Sequence, residues 1–246
     1  MANWYSARVS ELRDLSPTVR SFTLDFPNLD PLEFRPGQFI TLDLPVGERR
    51  RDGWRSYSIA SPPDGTNRCE LCIVHLPEGR GTGYLFDEIN PGDELRSKAP
   101  GGVFVLSEKA LDLDELVFIC TGTGVAPFRS MLLDLDRRGV TPPPIHLIFG
   151  CRTPEDVLYA DEFTELAARQ PWFTYTVALS RTEATDDLPY AAQAGYVHPV
   201  YAKLADHPHP GRRFYLCGWQ QMIDEAVERL EKLGYGREQI VFELYG

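Results

Sequence analysis

Up to about Leu106, apolar and polar residues alternate in short runs: Ser21-Phe22-Thr23-Leu24-Asp25-Phe26, Gln38-Phe39-Ile40-Thr41-Leu42-Asp43-Leu44 and Cys69-Glu70-Leu71-Cys72-Ile73-Val74. A period of two sends successive side chains to opposite faces, so each run predicts a half-buried strand. Pro36-Gly37, Pro62-Pro63-Asp64-Gly65 and Pro91-Gly92-Asp93 supply turn chemistry between such runs. Short strands bounded by tight turns predict an antiparallel sheet closed into a small barrel, with one short helix at Tyr84-Leu85-Phe86.

From about Leu113 the grammar changes. Apolar runs at 116–120, 145–149, 175–179, 214–217 and 240–242 alternate with longer helical segments, beginning with Pro127-Phe128-Arg129-Ser130-Met131-Leu132-Leu133. This alternation predicts a parallel sheet with crossover helices. In the last helix Met222, Ala226, Leu230 and Leu233 share one face, and Asp224, Glu225, Glu228 and Glu231 are left for solvent. The change of pattern near Ser107 to Asp112 predicts two domains, residues 1–107 and 108–246, with no internal repeat or low-complexity tract.

Composition narrows the classes. Over 246 residues, 43% hydrophobic and 25% charged content suits a packed fold without extended disorder. A net charge of -11 argues against general nucleic-acid binding, although Arg49-Arg50-Arg51, followed by Arg55, could be either a solvated loop or a local anion site. The N-terminus lacks a basic stretch followed by an apolar run, and no segment approaches the ~18 apolar residues of a membrane span, so a cytoplasmic protein is expected. Five cysteines, three of them in apolar runs, suit reduced thiols. Cys69-x-x-Cys72 has no second pair and no C-x₄-C-x₂-C spacing occurs, so neither an iron–sulfur centre nor another metal site is expected. The absence of a Gly-x-Ser-x-Gly elbow disfavours a hydrolase.

Three segments carry candidate chemistry. Cys120-Thr121-Gly122-Thr123-Gly124-Val125-Ala126-Pro127 follows an apolar strand and opens a helix. Its glycines permit close approach of a ligand, and the free N–H groups of a helix start attract a pyrophosphate. It is no Walker loop, and a proline stands where a third Rossmann glycine would be, so a dinucleotide site and a structural turn are both open. Arg55-Ser56-Tyr57-Ser58-Ile59 sets Arg55, Tyr57 and Ile59 on one face of an extended segment, where a guanidinium and a phenol could meet the phosphate and ring of one nucleotide. A barrel strand with an exposed tyrosine is the alternative. Gly79-Arg80-Gly81-Thr82-Gly83 runs into the short helix, whose N-terminus and Thr82 hydroxyl suit a second phosphate. Two phosphate-like sites, one in each half, suggest a flavin and a nicotinamide dinucleotide.

In order and separation these segments resemble the ferredoxin-NADP reductase superfamily over essentially the whole chain. Arg55-Ser56-Tyr57-Ser58 is similar to its flavin signature, Thr121 through Pro127 to its nicotinamide-dinucleotide signature, and Cys217-Gly218 to a third. The resemblance implies an antiparallel β-barrel FAD-binding domain followed by an α/β Rossmann-like parallel-sheet NAD(P)-binding domain. It implies that Tyr57 packs on the isoalloxazine, Arg55 meets the FAD pyrophosphate and Ser58 lies near flavin N5. Ile73 and His75 would flank the ribityl and phosphate path, although a histidine at a strand end can equally be bonded locally; Gly81 and Thr82 would hold the pyrophosphate. Pro100-Gly101-Gly102-Val103-Phe104 is similar to the family's Gly-Pro-x-Gly-x-Phe turn, with Ala99 replacing its first glycine. Gly122, Thr123 and Gly124 would approach the nicotinamide dinucleotide, and Cys217 would sit near the nicotinamide when hydride moves. Trp219-Gln220-Gln221 departs from the proline-containing pattern of relatives. Glu243-Leu244-Tyr245-Gly246 resembles the Glu-x-Tyr ending of plant-type reductases, so Tyr245 is expected to cover the flavin and Glu243 to help set nicotinamide position.

In such a family Ser180-Arg181 reads as a 2′-phosphate site and favours NADP, whereas Gly195-Tyr196-Val197 is closer to NADH-using oxygenase reductases and keeps NAD open. Arg152 fits either cofactor. The implied activity is hydride transfer between NADP(H) and FAD, with single electrons passed to or from a ferredoxin or flavodoxin, in a monomer. The alternatives are an NADH-dependent reductase component of an oxygenase, a free-flavin or cytochrome reductase, and a non-catalytic flavin-binding module.

Overall fold

The structure is a computed structural model describing residues 3–182 and 187–245, the side chains of Arg50 and Tyr245 excepted. Its alternating first half forms β1 (Trp4–Ser16), β2 (Val19–Asp25), β3 (Phe39–Asp43), β4 (Trp54–Ser58), β5 (Arg68–Val74) and β6 (Glu94–Lys98), with α1 (Arg80–Asp87) between the last two strands. These strands form one antiparallel sheet in the order β4-β3-β6-β1-β2-β5. Its two edge strands meet through a bridge between Ile59 and Leu71 and a 2.7 Å bond from Ala60 N–H to the Glu70 carbonyl. The sheet therefore closes on itself as a barrel, which removes the exposed edges that an open sheet would present. Phe22, Leu24, Ile40, Leu42, Leu71 and Ile73 fill its interior.

Neither β1 nor β6 carries the alternating apolar run that marked the others. β6 reads Glu-Leu-Arg-Ser-Lys, and its strand state comes from pairing with β1 and β3. β1 pairs on both sides, and register shifts near Val9 and Asp14 interrupt its period.

In the second half follow α2 (Glu108–Leu111), β7 (Glu115–Thr121), α3 (Ala126–Arg137), β8 (Ile145–Cys151), α4 (Ala160–Arg169), β9 (Phe173–Leu179), β10 (Ala191–Ala194), α5 (Val197–Leu204), β11 (Arg212–Trp219), α6 (Gln220–Lys232) and β12 (Ile240–Tyr245). The six strands form an all-parallel sheet ordered β10-β9-β8-β7-β11-β12. From β7 the chain builds outward through β8 to β10 on one side and then through β11 and β12 on the other, so strand order reverses between β7 and β11. On α6, Met222, Ile223, Ala226, Val227 and Leu230 are buried against the sheet together with Val200 and Tyr201 of α5.

The chain divides into two compact units, the first made of Met1–Val105 with Ala126–Asp134 and the second of Leu106–Val125 with Leu135–Gly246. Within the first unit Arg129 donates to the Ala60 carbonyl at 3.0 Å and to Glu70 at 3.2 Å, and the Ser130 hydroxyl donates to the Ser61 carbonyl at 2.7 Å. Among the described residues no helix is long and apolar enough to cross a membrane.

Candidate functional site

β4 pairs Arg55 with Leu42 and Tyr57 with Ile40, two residues of the barrel core, so Arg55 and Tyr57 share the face that borders that core. Arg55 Nη1 donates to the carbonyls of Asp52 and Trp54 at 2.9 and 2.8 Å, which fixes the guanidinium. Its Nε lies 3.1 Å from the point where a side chain on Gly81 would begin, so the guanidinium rests against the first turn of α1. Helix geometry leaves the N–H groups of Arg80, Gly81 and Thr82 without intrahelical acceptors. A fixed guanidinium beside such a helix start is an anion cradle.

The Tyr57 phenol is buried without a hydrogen-bond partner. Burial pushes its pKa up to about 12 against the opposing pull of Arg55, so the group stays a neutral donor. An unmet buried hydroxyl costs ~1–3 kcal/mol, so it marks where a ligand acceptor belongs. Anion cradle and unmet phenol on one strand face fit the phosphate and polyhydroxyl chain of FAD.

The other expected barrel residues are arranged differently. Ser58 is buried at the end of β4, opposite Phe39. Ile73 is 1% exposed, inside the core. The Thr82 hydroxyl accepts from Leu76 N–H and reaches the carbonyls of Leu76 and Gly79, bracing the loop before α1, so its main-chain N–H is the group open to a phosphate. His75 stacks on Phe86 at 4.8 Å and lines a cleft of about 380 Å³ with Asp14, Ser16, Pro17 and Arg20. Its contacts are with this cleft rather than with Arg55 or Tyr57.

In the second unit, Cys120 and Thr121 end β7 while Cys217 and Gly218 lie near the end of β11, at the reversal of strand order where open α/β sheets bind their ligands. A Cβ on Gly124 would stand 2.3 Å from the Cys217 carbonyl oxygen. One on Gly218, at φ +147°, would stand 2.3 Å from Thr121 Oγ1. Only glycine permits both approaches. The 3₁₀ turn Gly122–Val125 is thereby locked against β11, which brings Gly122, Thr123, Gly124 and Cys217 together. Cys217 is fully buried between two register partners, Cys120 on β7 and Glu243 on β12. Burial raises the Cys120 thiol well above its ordinary pKa. Tyr245 pairs with Trp219, and its side chain lies outside the described residues.

Arg181 follows β9, and its N–H donates to the Arg152 carbonyl at 2.9 Å, while Ser180 Oγ donates to the Cys151 carbonyl at 3.1 Å. Two exposed arginines thus stand at adjoining strand ends. A 2.7 Å bond from Gly195 N–H to the Leu179 carbonyl brings up Tyr196, which is 71% exposed. Sequence reasoning left Arg152 and Tyr196 out of the site; the Gly150-Cys151-Arg152 run offered the residue, but only the pairing of β8 with β9 shows its neighbour. On the barrel, Lys98 lies 3.7 Å from the Trp54 ring and Arg51 5.6 Å from it, and Arg96 lies 5.3 Å from Trp4. Arg49 and Arg51 of the expected basic run are exposed, and the side chain of Arg50 lies outside the described residues. Among the described residues no group of three His, Cys, Asp or Glu could hold a metal ion.

A closed barrel with an anion cradle, and a parallel sheet with a glycine turn at its switch point, define a flavin- and dinucleotide-binding oxidoreductase. Residues 6–106 match the family described as an oxidoreductase FAD-binding domain, and residues 118–228 that described as an oxidoreductase NAD-binding domain. The chain is 32% identical to ferredoxin-NADP reductase B of Sorangium cellulosum, over 98% of this chain and 97% of that protein. It is 34% identical to the phenol 2-monooxygenase reductase component DmpP of Pseudomonas sp. (strain CF600) over 92% of this chain, a match that spans only 61% of the relative. Among solved structures it superposes on the Amycolatopsis cytochrome P450 reductase GcoB with a TM-score of 0.83 and 26% identity, over 99% of this chain and 71% of that one. The chain belongs to the ferredoxin reductase-like superfamily and is an FAD-dependent oxidoreductase that uses a nicotinamide dinucleotide.

Proposed function

We propose that the protein is an NADP(H)-dependent reductase, with a flavin domain at 1–107 and a dinucleotide domain at 108–246, that exchanges electrons with a ferredoxin or flavodoxin as a cytoplasmic monomer. The observation that carries the cofactor preference is the pair of exposed guanidinium groups of Arg152 and Arg181, joined through their main chains at the ends of β8 and β9. A ribose 2′-phosphate calls for arginine, where a ribose diol calls for a carboxylate. The cations ringing Trp4 and Trp54 suit an acidic electron carrier on a protein whose net charge is otherwise -11.

Bound FAD would supply the hydride-accepting and single-electron chemistry of the reaction. The chain binds, orients and shields. Arg55 and the start of α1 neutralise the flavin pyrophosphate, and the Tyr57 hydroxyl donates to the flavin's polar chain. Gly122, Thr123 and Gly124 offer main-chain N–H groups to the nicotinamide dinucleotide, and Arg181 with Arg152 takes its 2′-phosphate. Ser58, Cys217, Glu243 and Tyr245 are the residues that serve the reacting rings.

Anaerobic stopped-flow reduction by NADPH and by NADH tests this reading. Faster bleaching with NADPH is expected, and Arg181→Ala should raise the NADPH requirement at least ~10-fold while leaving NADH within about twofold, since a hydrogen-bonded charge pair is worth ~1.5–3 kcal/mol. A wild type that prefers NADH would overturn it in favour of an oxygenase reductase component, the reading that Gly195-Tyr196-Val197 and the likeness to DmpP support.

A further inference from the structure

Trp219 closes β11, directly after Cys217-Gly218. Its main chain is anchored: the N–H donates to Thr121 Oγ1 at 3.2 Å, and Gly218 is packed so tightly on Thr121 that no side chain fits there. Its ring is not drawn inward. The residue is 57% exposed, although tryptophan is on average a strongly buried type. Nε1 lies 3.9 Å from the point where a side chain on Gly122 would begin, so the N–H edge of the indole stands beside the glycine turn. Among the described residues the indole N–H has no protein acceptor. Across the sheet, β7 and β8 separate β11 from β9, which puts Trp219 about 14 Å from the Arg181 end at ~4.8 Å per strand.

We infer that Trp219 binds the nicotinamide half of the dinucleotide. Its indole N–H donates to the pyrophosphate on the Gly122 turn, and its ring face lies against the nicotinamide side. This rests on the dinucleotide-reductase reading above. A planar donor on an anchored main chain has few side-chain torsions to fix when a ligand arrives, which is what makes an exposed ring useful there.

Calorimetric titration of the FAD-loaded protein tests it, with Trp219→Ala and Trp219→Phe against wild type. The probes are NADP⁺ and NAD⁺, and the adenosine fragments 2′,5′-ADP and 5′-AMP, which lack the nicotinamide half. Trp219→Ala is expected to weaken the preferred dinucleotide about 10-fold or more, Trp219→Phe to weaken it by less, and both to bind the matching fragment within about twofold of wild type. If Trp219→Ala binds the dinucleotide as wild type does, or loses dinucleotide and fragment equally, the inference fails while the reductase reading stands. If the wild type binds neither dinucleotide, the reading beneath it fails too.

Discussion

Replacing Gly124 with alanine is expected to weaken dinucleotide binding while leaving the flavin in place. The new methyl would stand 2.3 Å from the Cys217 carbonyl oxygen, 2.6 Å from the Cys217 carbonyl carbon and 2.8 Å from Gly218 Cα. All three are main-chain atoms, so no rotamer change relieves the clash. Ordinary contact begins near ~3.5 Å, so the turn and β11 must separate by about 1 Å. Forced overpacking of this kind costs ~1–3 kcal/mol. The strain is relieved only by moving the turn, which misaligns its N–H groups with the ligand, so the same energy is taken from binding. At ~1.4 kcal/mol per tenfold, dinucleotide affinity should fall about 5- to 150-fold. Calorimetry with NADP⁺ and NAD⁺ on the FAD-loaded protein measures the loss, with flavin content as the control. Wild-type affinity within twofold at unchanged flavin content would refute the packing of this turn against β11.

Two further outcomes are expected. Tyr57→Phe removes a buried hydroxyl that has no protein partner, so the flavin-free protein should be no less stable, whereas FAD should bind about 2- to 10-fold more weakly; a destabilised apoprotein with unchanged FAD affinity, read by thermal melts and flavin fluorescence, would reverse the assignment. Asp136 is held below the usual carboxylate range, first by the hydrogen bond from Arg169, with partial burial opposing and Gln170 assisting. A depressed folded pKa means stability that is full above the ordinary value of ~4 and lost as pH falls through the folded one. Asp136→Asn should therefore flatten part of the acid limb of urea stability measured below pH ~4, by less than about 1 kcal/mol because Arg169 is half exposed; an unchanged acid limb would count against the pair.

Much of the fold is local in origin and therefore legible along the chain. The runs at 21–26, 38–44 and 69–74 alternate because one face of each strand meets the barrel core, and they became β2, β3 and β5. The apolar runs of the second half became β7, β8, β9, β11 and β12 for a related reason, since a parallel sheet covered by helices needs apolar residues on both faces. β1, β6 and β10 were not legible: Glu94-Leu95-Arg96-Ser97-Lys98 and Ala191-Ala192-Gln193-Ala194 have no apolar period, and their extended state is supplied by neighbouring strands.

The same division runs through the site. Residue types at fixed spacing, Arg55-Ser56-Tyr57-Ser58 and Thr121-Gly122-Thr123-Gly124, suffice to announce a flavin site and a dinucleotide turn, because a strand face and a glycine turn are built from adjacent residues. That Arg55 rests on Gly81, that Arg181 adjoins Arg152, that the Thr82 hydroxyl braces residues 76–79 and that the N–H edge of the Trp219 indole stands beside Gly122 are pairings that strand register and packing set. The sequence by itself determined which chemistries the chain carries and on which elements, and the tertiary structure decided which of those groups meet, because hydrophobic period is written locally whereas contact between distant segments exists only once the barrel has closed and the parallel strands are in register.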